Sequence, residues 1–242
     1  MAIFGKYYLL NSLPPLEANF QSPLPLSLPN FWRRVQEEES SLQELIHAIL
    51  LEKDLSNLEQ IAFQKKPLSP ASIPLDALSK MREEKELAEQ FFPACISEWI
   101  EAKQWHREIW GAYFDYCLRI AQKHGSRLQE WLSWNLGLKN AFYEKRAVED
   151  YKKREFKALT QRDDDREYQD IIQLYYKASH PMEGELTLDR VRWEKISTLV
   201  TSYSFGQDEV VVYALHLLLL ERWWQISQTE EKHFTKGVEC LK

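Results

Sequence analysis

The chain has 242 residues, a formal net charge of −6, and a composition that is 44% hydrophobic and 28% charged. These values belong to a globular rather than a disordered chain, allow a sizeable core, and argue against non-specific nucleic-acid binding. Only seven glycines are present, strand-type alternation is scarce, and the three cysteines, Cys95, Cys117 and Cys240, fit neither a disulfide framework nor a zinc site.

Tyr7-Tyr8-Leu9-Leu10 is a short apolar run that ends at Pro14-Pro15. A run of this length reads as a strand or as an extended lead-in. Pro23, Pro25 and Pro29 then argue against a helix, so residues 14–29 are expected to be extended and pinned by Leu16, Phe20, Leu24, Leu26 and Leu28. Residues 1–29 thus form a Pro-rich lead-in, and residues 30–242 the helical part of a single domain. The expected class is all-α: a multi-helix bundle with long helices and a central apolar hairpin.

Asn30 is placed to cap a helix from Phe31. Leu42, Leu45, Ile46, Ile49 and Leu50 make a helical stripe, which Leu58, Ile61 and Ala62 extend. Lys65–Pro74 holds three prolines and reads as a loop. Leu75, Leu78, Met81, Leu87 and Phe91 mark the buried side of the next helix. Pro93 opens what reads as one helix to about His124, roughly 45 Å long, stopped by Gly125. It carries two apolar stripes, one through Ile96, Trp99, Trp110, Tyr113 and Cys117, the other through Trp105, Ile109, Ala112, Tyr116 and Ile120.

Ser126 caps the following helix, and Gly137 inside it suggests a close helix crossing. Its second half, Glu144 to Lys157, is charged nearly all round, so it projects into solvent or lies against a partner. Lys145, Arg146, Tyr151, Lys152, Lys153 and Arg154 are the candidate partner interface. Asp163-Asp164-Asp165 suits the start of a helix to about Ala178. Pro181 to Gly184 reads as a turn. Trp193 to Trp224 then reads as a helical hairpin hinged at Gly206. Its second arm, Val210 to Leu220, is apolar on every side and is expected to be the central post of the core. A bilayer span needs about 20 apolar residues, which this arm lacks. Ser227 or Thr229 is placed to cap a last short helix to about Leu241. The start of the sequence lacks a basic region followed by an apolar one of signal-peptide length, so a cytoplasmic location is expected.

Motifs that carry chemistry are not found. Glu44…His47 and Glu230…His233 have the spacing that builds di-iron carboxylate sites on facing helices. However, His47 lies off its helix's apolar stripe and should be exposed, and the second pair lies on a polar terminal helix. A di-iron enzyme is therefore the lesser reading. His216 reads as a core histidine bonded to a polar neighbour, and Asn135 and Asn140 as makers of inter-helix hydrogen bonds. Gly-x-Gly-x-x-Gly, Walker-type and Gly-x-Ser-x-Gly patterns are absent. No catalytic residue, cofactor-binding residue or metal ligand is assigned, and no cofactor is expected.

Three segments together resemble a bacterial family encoded within V-type (A-type) ATPase operons. They are Tyr7 to Leu16, Trp131-Leu132-Ser133-Trp134-Asn135-Leu136 running to Phe142, and Trp193-Glu194-Lys195-Ile196 through Phe205 to Leu220-Glu221-Arg222-Trp223. Asp54-x-x-Asn57-Leu58 is similar to an element that closes a helix pair in the helical stalk subunit of these ATPases, called C in prokaryotes and d in eukaryotes. That subunit is a funnel of helices seated on the membrane rotor ring, where it receives the foot of the central shaft. The resemblance implies a non-catalytic coupling subunit whose partners are the central shaft subunits and the rotor ring. It implies no direct membrane insertion and a cytoplasmic position, peripheral to the inner membrane through the complex. A free-standing cytosolic helical adaptor is the alternative.

Overall fold

The structure, a computed structural model, describes residues 2–81, 84, 86–101, 107–149, 165–202 and 204–239, with the backbone alone for 2–5, 101, 107, 147–149, 165–166 and 229–239. Among the described residues there are eleven α-helices and no strand. They are α1 Ala2–Ser12, α2 Leu28–Val35, α3 Ser40–Ala62, α4 Leu75–Lys80, α5 Glu86–Phe91, α6 Ala94–Glu101, α7 Arg107–Lys123, α8 Leu128–Glu149, α9 Asp165–Tyr176, α10 Pro181–Ser197 and α11 Gln207–Glu239. The all-α class expected from the sequence is the class the chain adopts.

α3 and α11 share the centre of the core. Ala48, Ile49, Leu50 and Leu51 are consecutive and all buried on α3, as are Ala214, Leu215, His216 and Leu217 on α11, while Val212, Tyr213, Leu218 and Leu219 of the apolar arm stay half-buried. Six helices pack in a closed cycle: α3 on α7, α7 on α8, α8 on α9, α9 on α10, α10 on α11, and α11 back on α3. Ala48 meets Cys117, and Glu44 meets Lys123, so α3 and α7 are antiparallel. Trp134 faces Glu167 while Phe142 faces Tyr175, so α8 and α9 run parallel. One continuous core reaches from Leu9 to Leu217.

Several local readings of the sequence are corrected. Tyr7 to Leu10 lies in helix α1. Leu9, Leu10 and Leu13 are all buried, whereas a strand would send Leu9 and Leu10 to opposite faces. Pro29 sits in the first turn of α2, where an N–H has no intrahelical acceptor and a proline costs nothing. Asn30 does not cap α2; its Oδ1 accepts from Arg33 Nη2 at 2.9 Å. The 94–123 region is two helices. Arg119 Nη2 lies 3.4 Å from Cys95 Sγ, a separation of 24 residues that one helix would stretch to roughly 36 Å. Helix α6 therefore folds back along α7.

Pro181 opens α10 instead of a turn. His180 Nδ1 accepts the Glu183 N–H at 3.1 Å, and the Glu183 carboxylate reaches back to the Ser179 N–H at 2.7 Å. The left-handed residue between the hairpin arms is Phe205, at φ 53°, not Gly206. Finally, α11 runs through Ser227 without a break, and the Ser227 hydroxyl donates back to Trp224 O at 2.8 Å within its own helix rather than capping a new one. The Gly125 stop holds: its φ is 59°, and Ser126 N–H bonds back to Ala121 O at 2.9 Å. Ser126 Oγ accepts the Leu128 N–H at 3.2 Å, as a cap should.

Gly137 marks a close crossing of α8 and α9, as its place within the helix suggested. A Cβ there would fall within 3.0 Å of the ring and hydroxyl of Tyr168 on α9. Gly137→Ala is expected to cost about 1–3 kcal/mol of stability through overpacking. Chemical denaturation of the single and double variants checks it: combined with Tyr168→Leu, the penalty should shrink, because the alanine then has room.

Candidate functional site

The loop from Phe63 to Pro74 carries Pro67, Pro70 and Pro74 and forms no ladder with itself. Its amides need outside partners. Helix α3 supplies them from two fully buried side chains, Asp54 and Asn57, which share a face at i, i+3 spacing. Asp54 Oδ1 accepts the Ala71 N–H at 3.2 Å, and Oδ2 accepts the Ser72 N–H at 3.0 Å and the Ser72 hydroxyl at 2.6 Å. Asn57 Oδ1 accepts the Leu68 N–H at 2.9 Å, and its amide donates to Ser69 O at 3.0 Å. Burial pushes the Asp54 carboxyl above its ordinary value, against the pull of these donors.

A second polar group ties this clamp to α11. Lys53 Nζ lies 3.1 Å from Glu221 Oε2, a contact that acts through charge rather than as a directed hydrogen bond, and donates to Gln225 Oε1 at 2.7 Å. Ser69 Oγ donates to Glu221, and Gln225 Nε2 donates to both Ser69 and Glu221. Burial lowers the Lys53 amine, although Glu221 acts to raise it.

The next residue of α11 turns the other way, to α10. Arg222 donates to Asp189 Oδ2 at 2.8 Å and to Glu185 Oε2 at 2.6 Å. Asp189 is fully buried and also accepts from Arg192 Nη1 at 2.7 Å and from Trp223 Nε1 at 2.8 Å. Burial opposes the charge on Glu185, but Arg222 holds its carboxyl below the usual range. Further along the hairpin, His216 stacks on Trp193 at 3.8 Å, with Nε2 3.2 Å from Trp193 O and 3.3 Å from Ser197 Oγ. A carbonyl only accepts, so Nε2 carries the proton. Burial brings the imidazole down to about 4 despite that bond. His216 is thus the bonded core histidine expected from the sequence.

The sequence-assigned interface is reached only at its start. Lys145 and Arg146 are exposed near the end of α8, beside the exposed Tyr143; burial and Glu185 push the Tyr175 phenol up, against the opposing charge of Arg146. Tyr151, Lys152, Lys153 and Arg154 lie outside the described residues. His47 is not exposed as expected: it is half-buried and stacks on Trp32 at 5.5 Å. Its would-be partner Glu44 holds Lys123 at 2.6 Å and His124 at 2.8 Å. The Glu230 and His233 side chains lie outside the described residues. Among those described, no group of three His, Cys, Asp or Glu residues is placed to hold a metal.

The inter-helix hydrogen bond expected of Asn135 is not made by its carbonyl oxygen. Its Oδ1 is buried with no hydrogen-bond partner among the described residues, and the side chain lines a cavity of about 10 Å³ with Glu52, Tyr113 and Cys117. Burial pushes the Cys117 thiol up, which makes it an inert core residue. Sequence reasoning missed Lys53, Glu185, Asp189, Glu221 and Arg222. The available signal was charge on faces that the apolar spacing assigns to the core.

Residues 162–242, which take in α9, α10 and α11, match a family described as "Protein of unknown function (DUF2764)". The match covers a third of the chain, including Asp189, His216 and Arg222, and leaves the Asp54 clamp outside it. No curated protein and no solved structure matches the chain.

Asp54→Asn turns an amide NH₂ toward N–H donors. It is expected to cost about 1–3 kcal/mol and to make the 63–74 loop more sensitive to limited proteolysis. His216 should make stability depend on pH. Above pH 6.5 it is neutral in both states and its contribution is complete. As pH falls from 6.5 to about 4, the unfolded chain takes up a proton that the folded chain refuses. At about 1.4 kcal/mol per pH unit, the loss from His216 is about 3 kcal/mol, with none further below. Urea unfolding of His216→Gln over this range should show a loss smaller by about that amount.

Proposed function

We propose that the chain is a non-catalytic component of a V/A-type ATPase that couples the central shaft to the membrane rotor ring, the role of the helical stalk subunit in these complexes. One observation carries this reading beyond the segment resemblance. The Asp54-x-x-Asn57-Leu58 element is wholly buried and locks the connection between α3 and α4. Closing a helix pair is the task of the similar element in the stalk subunit.

The mechanics are consistent with that role. Torque transmission needs a body whose helices hold their relative positions. Here a chain of buried polar contacts runs from α3 through the 63–74 loop to α11 and on to α10. The most buried carboxylates in it are engaged by several donors each and so serve as struts rather than as acid–base groups. No helix among the described residues is long and apolar enough to cross a membrane, which fits a protein held at the membrane by its partners. The charged end of α8, where Lys145 and Arg146 are exposed, is the candidate for one contact surface, open to steering by charge.

The test is to tag the protein in its own host and purify it in mild detergent. Co-purification of ATPase shaft and ring subunits is expected. Intact complexes that lack this chain, with coupling undiminished on its deletion, overturn the proposal. A gene lying away from the other ATPase genes would favour a free-standing cytosolic adaptor instead.

A further inference from the structure

Residues 13–27 cross the outside of the α10/α11 hairpin as an irregular strap between α1 and α2. Its start is fastened twice. Arg34 Nη1 donates to Ser12 O at 2.6 Å, and Tyr213 Oη donates to Pro14 O at 3.0 Å. Between Pro15 and Leu26 the hydrogen bonds among described residues are internal to the strap: Asn19 N–H to Glu17 O at 2.7 Å, Gln21 N–H to Asn19 Oδ1 at 3.2 Å, and Ser22 N–H to Asn19 O at 3.3 Å. That turn presents Phe20. While Asn19 and Gln21 are exposed, Phe20 is 6% exposed, with its ring 6.0 Å from Trp193 and 6.0 Å from Trp223. Leu16 and Leu24 lean on the same small cluster, which is separate from the main core.

The two indoles do not depend on the strap for their positions. Trp193 is stacked on His216, and Trp223 is held through its N–H by Asp189. Each indole thus has a contact of its own that does not involve Phe20. We propose that this α10/α11 groove is a peptide-docking site, plugged in cis by the strap, which accepts from a partner protein a proline-flanked, non-helical segment presenting an aromatic side chain between leucines. The occupant's chemistry is read from the segment already seated there, Leu16-x-x-x-Phe20-x-x-x-Leu24, with Pro23 and Pro25 within the same stretch. Two ordered tryptophans closing on one aromatic ring is the arrangement that concentrates binding energy at interfaces. Prolines reduce the ordering cost of such a segment. Among the described residues the middle of the strap has no backbone bond to the helices, so its local opening breaks side-chain contacts alone. This inference stands independently of the shaft-and-ring reading.

The test uses the full-length chain carrying Phe20→Ala and a labelled synthetic peptide of residues 14–27, followed by fluorescence anisotropy. The peptide is expected to bind the variant about tenfold or more tightly than it binds the wild-type chain, and a peptide that itself carries Phe20→Ala is expected to lose that gain. Where circular dichroism shows that Phe20→Ala has lost helix, Phe20→Leu takes its place, with a smaller gain expected in the same direction. Absence of binding to a folded variant, equal binding to variant and wild type, or equal binding of the two peptides overturns the proposal.

Discussion

A proline-rich loop that cannot bond to itself must be bonded by its surroundings, and much of this molecule follows from that requirement. Buried amides left without partners cost free energy comparable to a lost hydrogen bond each. The loop after α3 passes its requirement to Asp54 and Asn57, and Ser69 passes it on to Glu221. Glu221 and Arg222 are adjacent, so one turn of α11 reaches α3 on one side and α10 on the other. Packing of apolar side chains supplies most of the stability, but it is indifferent to register. The polar contacts fix which turn of α11 meets which turn of its neighbours. Removing one member of such a set leaves a buried charge without compensation, which is why these residues constrain the fold more than their number suggests.

What could be read in the sequence was periodicity. The stripe through Leu42, Leu45, Ile46 and Ile49 gave α3, Ser126 gave the start of α8, Gly125 the end of α7, and Gly137 a close crossing. In each case the signal is local: a side chain at the right spacing, a cap, or a missing Cβ. The misreadings have local signals that point two ways. A four-residue apolar run is compatible with either period, and α1 was decided by where Leu9, Leu10 and Leu13 could be buried together. The stretch from Ala94 to Lys123 keeps helical spacing and has no proline, so nothing local announces that α6 turns back to set Cys95 beside Arg119. Gln64, at φ 57°, ends α3 in the left-handed conformation that a sequence reader looks for at glycine.

The site was legible as a motif but not as a device. Asp54 and Asn57 stand out as a pair, yet their partners lie 11 to 18 residues away in a loop whose path the sequence does not state. Asp189, Arg222 and Glu185 offered only the signal of charge on core-facing positions, with partners 33 and 37 residues apart. The candidate interface at the end of α8 was chosen from charge pattern alone, and only Lys145 and Arg146 fall where their surroundings are described. His216 was easier: a histidine inside an apolar helix has few outcomes, and a stacked indole with a nearby carbonyl is one of them.

The closed cycle of helices also sets an order of events in the cell. Lys53 on α3 and Gln225 on α11 are bonded across 172 residues of chain. A ribosome adding about 5 to 20 residues per second exposes α3 on the order of ten to thirty seconds before α11 emerges to cover it. During that time the apolar residues of α3 have only their local neighbours for shelter. Helix α11, made well after α3, closes the core that α3 begins, so the apolar face of α3 waits for its cover while the chain between them is made.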